Sequence, residues 1–157
     1  MSATSVDVLA HRPEAIPDLA AAFKEQWSPH QPAEHVESIK QHFRECLNTD
    51  RVPLALVAYS GTDIAGVVAL LKRSVKCRPE LGPWLGALYV FPAYRRQGVG
   101  AMLIQRAEQA AHRLGLKALY AGTETATDLF RRAGWDAIEQ LEEGGEHLTV
   151  FRKSIVA

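Results

Sequence analysis

Arg95-Arg96-Gln97-Gly98-Val99-Gly100 stands between a β-rich run that stops at Pro92 and a long amphipathic stretch, and its reading decides the fold. Physically it is suited to binding an anion. The first turn of a helix has backbone N–H groups without intrahelical partners, and the aligned peptide dipoles add partial positive charge there. Gly98 and Gly100 remove side chains, so a phosphate can approach the main chain, while Arg95 and Arg96 add charge and hydrogen-bond donors. The alternative is a tight strand-to-helix turn in which the glycines serve only the backbone. Two nucleotide loops are excluded by the letters. The Walker string Gly-x-x-x-x-Gly-Lys-Ser/Thr does not occur, and G-x-G-x-x-G fails because the third glycine position is Leu103.

Downstream, Gly98 to Leu114 reads as a helix with Val99, Leu103, Ala107, Ala110, Ala111 and Leu114 in one stripe, closed by Gly115. Lys117 to Gly122 reads as a short strand. Thr125 with Asp128 resembles a capping box, opening a helix that ends at Gly134. Trp135 to Glu143 and Glu146 to Ile155 straddle Gly144-Gly145 as a hairpin. Upstream, Trp84 to Phe91 is a strand. Leu54 to Tyr59 and Ile64 to Leu71 form another hairpin around Ser60-Gly61-Thr62-Asp63, and the polar stretch Lys72 to Gly82 extends it or forms a loop. At the front, Thr4 to Ala10 alternates as an edge strand. A helix follows Pro13 and Pro17 on Leu19, Ala20, Phe23 and Trp27; after the break Ser28 to Pro32, a second runs from Ala33 to about Asn48. The order β-α-α-β-β-β-α-β-α-β-β predicts an α/β or α+β sandwich. Its seven-stranded sheet is mixed and mostly antiparallel, is flanked by four helices, and has one parallel crossover over residues 84–122.

The bulk properties fit one domain spanning residues 1–157. There are 18 Lys+Arg against 18 Asp+Glu, so no broad cationic footprint exists for nucleic acid. Apolar residues make up 47%, enough to exclude a disordered chain. The two cysteines, Cys46 and Cys77, stand apart and outside any C-x-x-C pattern, which favours a reducing, cytoplasmic setting over a disulfide framework. The start of the chain lacks the pattern of a signal peptide, and the longest apolar run, Ile64 to Leu71, falls far short of the roughly 20 residues that cross a bilayer. No membrane partner is expected.

Taken together, Arg-x-x-Gly-x-Gly at Arg95 to Gly100, the preceding Leu88-Tyr89-Val90-Phe91-Pro92 and the later Leu129-Phe130-Arg131-Arg132-Ala133-Gly134-Trp135 resemble motif A and its sequel in the GCN5-related N-acetyltransferases. The matched region runs from about Pro83 to Trp135. The resemblance implies acetyl-CoA as co-substrate; no metal is expected, because His35 and His42 have no third ligand at a fitting spacing. Main-chain amides from Gln97 through Val99 and Gly100 to Ala101 would bind its pyrophosphate, with Arg95 and Arg96 flanking. It also implies a central parallel pair in which the strand of Leu88, Tyr89 and Val90 splays from Lys117–Gly122, with the pantetheine arm in the opening and a main-chain N–H near Leu88 to Val90 polarising the thioester carbonyl. Phe130 joins the cofactor-binding set, at the position where the family often has a tyrosine acting as general acid.

Acetyl transfer to an amine requires the amine to lose a proton. An alkyl amine with a lysine-like pKa of about 10.4 is nearly all protonated at neutral pH, so a carboxylate base is expected. Glu124 is the candidate because it follows strand Lys117–Thr123 at the end facing the expected thioester; the alternative is that it borders the next helix. No carboxylate lies in Trp84 to Phe91. No general acid is assigned: Tyr89 and Tyr120 read as sheet-face residues, and a thiol with pKa near 8.5 leaves far more readily than an amine. His35 and His42 read as a solvated helix face, and His147 as an exposed strand residue. Glu139, Glu142, Glu143 and Glu146 make an acidic hairpin tip, which either is solvated or recruits a cationic amine. Trp27 and Trp84 read as core or site wall, and Trp27 with residues near His30 are candidate acceptor contacts. The expected partner is an amine substrate of unassigned identity, and a homodimer is compatible with this reading. The reading that competes with an enzyme is a non-catalytic acyl-CoA-binding module, which Phe130 and the missing strand carboxylate keep open.

Overall fold

Eleven elements fold onto one sheet in the order expected from the sequence. The structure, a computed structural model, describes residues 4–27 and 33–155. The elements are β1 (Thr4–Val8), α1 (Ile16–Trp27), α2 (Ala33–Glu45), β2 (Leu54–Ser60), β3 (Asp63–Leu71), β4 (Trp84–Val90), α3 (Val99–Arg113), β5 (Ala118–Thr123), α4 (Thr127–Arg132), β6 (Asp136–Glu143) and β7 (Glu146–Ser154). The strands lie in the order β1-β2-β3-β4-β5-β7-β6. Every neighbouring pair is antiparallel except β4 and β5. The break over Ser28 to Pro32, His30 with it, lies outside the described residues, as does the side chain of Trp27.

Several boundaries differ from the sequence reading, three of them for an identifiable local reason. The first strand stops at Val8 rather than Ala10, and Leu9–His11 forms a 3₁₀ turn. Here Asp7 Oδ1 accepts from the Val8 amide at 2.8 Å and contacts His11 Nδ1 at 2.7 Å, diverting the backbone from the ladder. Helix α2 ends at Glu45 rather than near Asn48, because Asn48 Nδ2 donates to the carbonyls of Glu45 (3.1 Å) and Pro53 (2.7 Å). That bond satisfies one of the carbonyls a helix end leaves over. The Thr125/Asp128 capping box does not form: α4 begins at Thr127, and the Ala126 amide donates instead to Thr123 Oγ1 at 3.0 Å.

Helix α3 ends as its glycine predicted. Gly115 has φ +76°, Leu116 N donates to Ala111 O and Gly115 N to His112 O, both at 3.0 Å. These are the paired bonds of a Schellman motif. One sheet face packs on α3 and α4 through Leu54, Val68, Leu103, Leu119, Phe130 and Phe151. The opposite face is covered in two parts. Helices α1 and α2 lie over β2 to β4 through Leu19, Phe43, Val57 and Val67, and the loop 72–83 lies over β5 and β7 through Val75, Trp84 and Val150. Trp84 is fully buried and donates its indole N–H to Leu81 O at 3.0 Å, so it is core rather than pocket wall. Among the described residues, no helix is long and apolar enough to cross a membrane.

Candidate active site

The parallel strands β4 and β5 touch at one register pair, Trp84 with Tyr120, where the Tyr120 amide donates to Pro83 O at 3.1 Å. Beyond it they part. The cause lies on the other side of β4: against β3, Val67 faces Tyr89 but Ala69 faces Gly86, so β4 carries one extra residue there. Such a bulge bends its strand and increases the local twist. Ala87, inside it, has φ +53°, a left-handed conformation that costs an ordinary residue about 1–2 kcal/mol. The opening is a cavity of about 710 Å³, floored by Gly86, Ala87 and Leu88 of β4 and by Gly122 to Ala126 of β5 and its turn. Phe23 of α1 and His35 and His42 of α2 close its outer side.

Immediately beyond β4, the quoted stretch forms the turn into α3. Arg96 (φ +62°) and Gly98 (φ +79°) both take left-handed backbone, and Gly98 precedes the first helical residue. The first intrahelical bond runs from Met102 N to Gly98 O, so the amides of Val99, Gly100 and Ala101 lie ahead of the helix ladder. A second cavity, about 990 Å³, opens over this turn and is lined by Arg95, Arg96, Gly98, Val99, Gly100 and Ala101. Nothing stands within 4 Å of where a Gly98 Cβ would be, while a Cβ on Gly100 would meet Leu129 Cδ2 at 3.1 Å. Gly98 thus serves the turn and Gly100 the close approach of α4.

The two arginines do different things. Arg95 folds back, its Nε donating to Val90 O at 2.9 Å and its guanidinium lying 5.5 Å from the Tyr89 ring, whereas Arg96 is exposed at the cavity. Gln97 Nε2 donates to Ala93 O at 3.3 Å, and its side chain does not line the cavity. Across the cavity stand Arg132 and Lys153, to which the sequence reading gave no role. Lys153 is already engaged with Glu108 at 3.0 Å and Ala133 O at 2.7 Å, which leaves Arg96 and Arg132 as the cations most available there. Arg132 was visible in the quoted Phe130–Trp135 run but carried no pattern of its own.

The remaining candidates divide between cavity and core. Leu88 lines the β4–β5 opening and Val90 the cavity over the turn, while Tyr89 stacks edge-on with Phe23 and Phe91 on the α1/α2 face. Phe130 is buried, 5.1 Å from Trp135 and 5.5 Å from Phe151 between ring centroids, with an edge on the opening. Tyr120 faces Trp84 away from the opening. Glu124 does line it, and the His147 amide donates to its Oε2 at 3.2 Å. His35 and His42 line it as well; His42 is exposed, as the solvated-face reading expected, and the same face borders the cavity, a placement that helical spacing alone could not reveal. Burial, then Glu45, pushes the Cys46 thiol up to about 11, leaving it a small apolar wall residue rather than a nucleophile. Among the described residues no group of three His, Cys, Asp or Glu could hold a metal ion.

The model of the Acetyltransferase (GNAT) family matches residues 16–135. The chain belongs to that family. A search of curated proteins by sequence found no match. Among solved structures, an aminoglycoside 6'-N-acetyltransferase complexed with coenzyme A superposes with TM-score 0.77 at 14% identity, covering 98% of each chain. The Salmonella typhimurium protein yncA with its cofactor acetyl-CoA gives 0.77 at 16%, covering 98% of this chain and 95% of that one. The spermidine/spermine N-acetyltransferase SpeG from Vibrio cholerae gives 0.71 at 13%, covering 97% and 95%. At these identities the likeness is one of fold.

In this GNAT acetyltransferase, part of the acidic hairpin is spent internally. Arg78 in the loop 72–83 donates from Nε to Glu139 at 2.8 Å and from Nη2 at 2.5 Å, and the Cys77 amide donates to Glu143 at 2.9 Å. Arg78 holds the Glu139 carboxyl below its ordinary pKa, and the Cys77 amide does the same for Glu143. A depressed folded-state pKa contributes stability that is full above the unfolded value, near 4.3, and is lost as pH falls through the folded one. Hydrogen exchange at Lys76 and Cys77 is therefore expected to stay slow from neutral pH through the ordinary carboxylate range and to lose its protection only below that range. Arg78→Ala should remove that protection at pH 7. A loop equally protected in the variant would mean that Val75 packing and the Cys77–Glu143 bond hold it without Arg78.

Proposed function

We propose that the chain transfers the acetyl group of acetyl-CoA to a primary amine by direct attack within a ternary complex. The observation that carries this reading is the junction of two cavities: an opening between β4 and β5 that leads to a turn with three backbone amides outside the helix ladder. The residues fit the co-substrate. The Val99, Gly100 and Ala101 amides with Arg96 and Arg132 would hold a pyrophosphate, and the backbone of Leu88 to Val90 would take a pantetheine arm as a strand takes its neighbour. When bound, acetyl-CoA supplies an activated thioester whose thiol departs without help from an acid. Amine acceptors, which the names of the aminoglycoside and spermidine/spermine enzymes indicate for those proteins, are consistent with a pocket containing Glu124 and Glu146. A cytoplasmic location accords with two separated thiols.

Glu124 is the proposed base, acting directly or through water on the amine that enters beside His35. The hydrogen bond from the His147 amide fixes one carboxylate oxygen and leaves the other for the proton. Glu124→Gln is expected to lower kcat/KM by about 10²-fold at neutral pH, the usual contribution of a general base. The deficit should shrink as pH rises toward the amine's own pKa of about 10.4, where the substrate arrives deprotonated. Equal pH–rate profiles for variant and parent would remove Glu124 from this role.

A second reading, an acyl-CoA-binding module without turnover, draws on Phe130, whose buried ring offers no hydroxyl, and on an opening without a tyrosine among its lining residues. Thiol release from acetyl-CoA with a panel of amines separates the two readings. Release above background sustains transfer, and tight coenzyme binding without release on a broad panel sustains the module.

A further inference from the structure

The β4–β5 opening continues past its thioester end. A third cavity of about 910 Å³ lies between α2 and the sheet, and it shares Phe23, Ile39, His42 and Ala87 with the opening as lining. The two therefore meet at the β4 bulge. The character of the walls changes along this path. At the thioester end stand the carboxylates Glu124 and Glu146. The middle is mostly apolar, formed by Phe23, Ile39, Ala87 and Leu71 with the neutral Cys46 thiol, and His42 is the one polar side chain where the two cavities meet. At the far mouth, just after β3 ends, stand Lys72 and Arg73, both exposed and without an ion-pair partner among the described residues. Arg51 adds a third cation there, 3.5 Å from Asp50, and Glu45 is the one carboxylate of that cavity.

The register sets the span. Leu71 pairs with Trp84, and Trp84 with Tyr120, so the end of β3 is level with Tyr120; Glu124 lies four residues further along. Four residues of strand cover about 13 Å, and the two strand spacings from β3 to β5 add about 10 Å across. The end of β3 and Glu124 therefore lie roughly 16 Å apart between backbones, a gap that the Lys72 and Glu124 side chains shorten from both ends to the length of a small bifunctional molecule. A polycation would place charge against Lys72 and Arg73 and strip water from it along the apolar middle, which is unfavourable on both counts. A molecule with an ammonium at one end and an anion at the other matches both mouths.

Resting on the acetyl-transfer reading above, we infer that the acceptor of this enzyme is an amine joined through an apolar body to an anionic group. Its amine sits at Glu124, its body on Phe23, Ile39 and Leu71, and its anion at Lys72 and Arg73. The acceptor class is thus set apart from polycationic amines by the charge at the far mouth.

The test uses three matched probes on the full chain loaded with coenzyme A: a para-aminoethyl benzoate, its methyl ester, and the corresponding benzylamine, a diamine. Calorimetry should find the carboxylate bound on the order of tenfold more tightly than the diamine, with the ester between, as expected for two exposed cations. The preference should narrow in raised salt. With acetyl-CoA, the same order should appear in KM rather than kcat. Lys72→Glu with Arg73→Glu should invert the order, and a gain of diamine binding cannot come from misfolding. A diamine that binds as well as the carboxylate, or an order untouched by the double reversal, overturns the inference. Thiol release with the diamine favoured overturns this inference and leaves amine transfer standing. Preferential carboxylate binding without any thiol release overturns amine transfer and upholds the charge preference of the pocket.

Discussion

Gly98→Val is expected to weaken acetyl-CoA binding by a hundredfold or more, measured by calorimetry, while the protein still melts cooperatively. The position has room, because no atom lies within 4 Å of the point a Cβ would occupy. The obstacle is the backbone. At φ +79° a side chain meets its own carbonyl, at a cost of about 1–2 kcal/mol, and a β-branched residue is the least tolerant. The turn relieves that strain by rotating φ to a negative value, which re-aims the amides of Val99 and Gly100. A hydrogen bond to a charged group contributes about 1.5–3 kcal/mol, so two lost bonds amount to about 3–6 kcal/mol, beyond a hundredfold in Kd. The new side chain also stands in the cavity that Gly98 lines. Retained affinity would place the pyrophosphate elsewhere on the molecule and remove the basis of the functional reading.

Phe151→Ala is expected to produce a large loss of stability. This ring is fully buried on β7, stacked at 5.5 Å and 22° on Phe130, with the Arg131 guanidinium 5.8 Å from its centre. Removing a buried aromatic costs about 3–5 kcal/mol, which at this chain length lowers Tm by roughly 10–15 °C. Because Phe130 loses its stacked neighbour, the wall of the β4–β5 opening loosens as well, and coenzyme binding should weaken by severalfold rather than disappear. A Tm within about 3 °C of the parent would mean that α4 collapses onto the vacancy and refills it.

The elements legible in the sequence were those whose signals are local. Helix α3 shows its stripe and its closing glycine in plain letters, and both are found where they were read. The Gly144-Gly145 turn is equally local, with φ of +58° and +84°. What the letters withheld depends on the meeting of distant segments. Nothing in Gly86-Ala87-Leu88 announces a bulge, because the register that creates it belongs to β3 as much as to β4. His35 and His42 read as a wet helix face, and His42 is exposed, but that this face borders the opening depends on where α2 lies. Arg78 and Glu139 are 61 positions apart, so the pairing that removes one glutamate from the acidic tip leaves no trace in spacing. The Thr125/Asp128 box failed for the opposite reason: a sound local signal was displaced when Thr123, at the end of β5, reached the Ala126 amide first.

Because β4 and β5 share a single rung, the sheet is in effect two laddered halves, and no continuous row of peptide bonds fixes the angle between them. Helix α3, which lies across β1 through β5, takes over that task through side chains such as Leu103 and Ile104. The width of the throat is consequently set from behind, by how tightly those side chains fill the space beneath the helix. Trimming or enlarging them alters the aperture that faces the reactants without changing one residue of its rim.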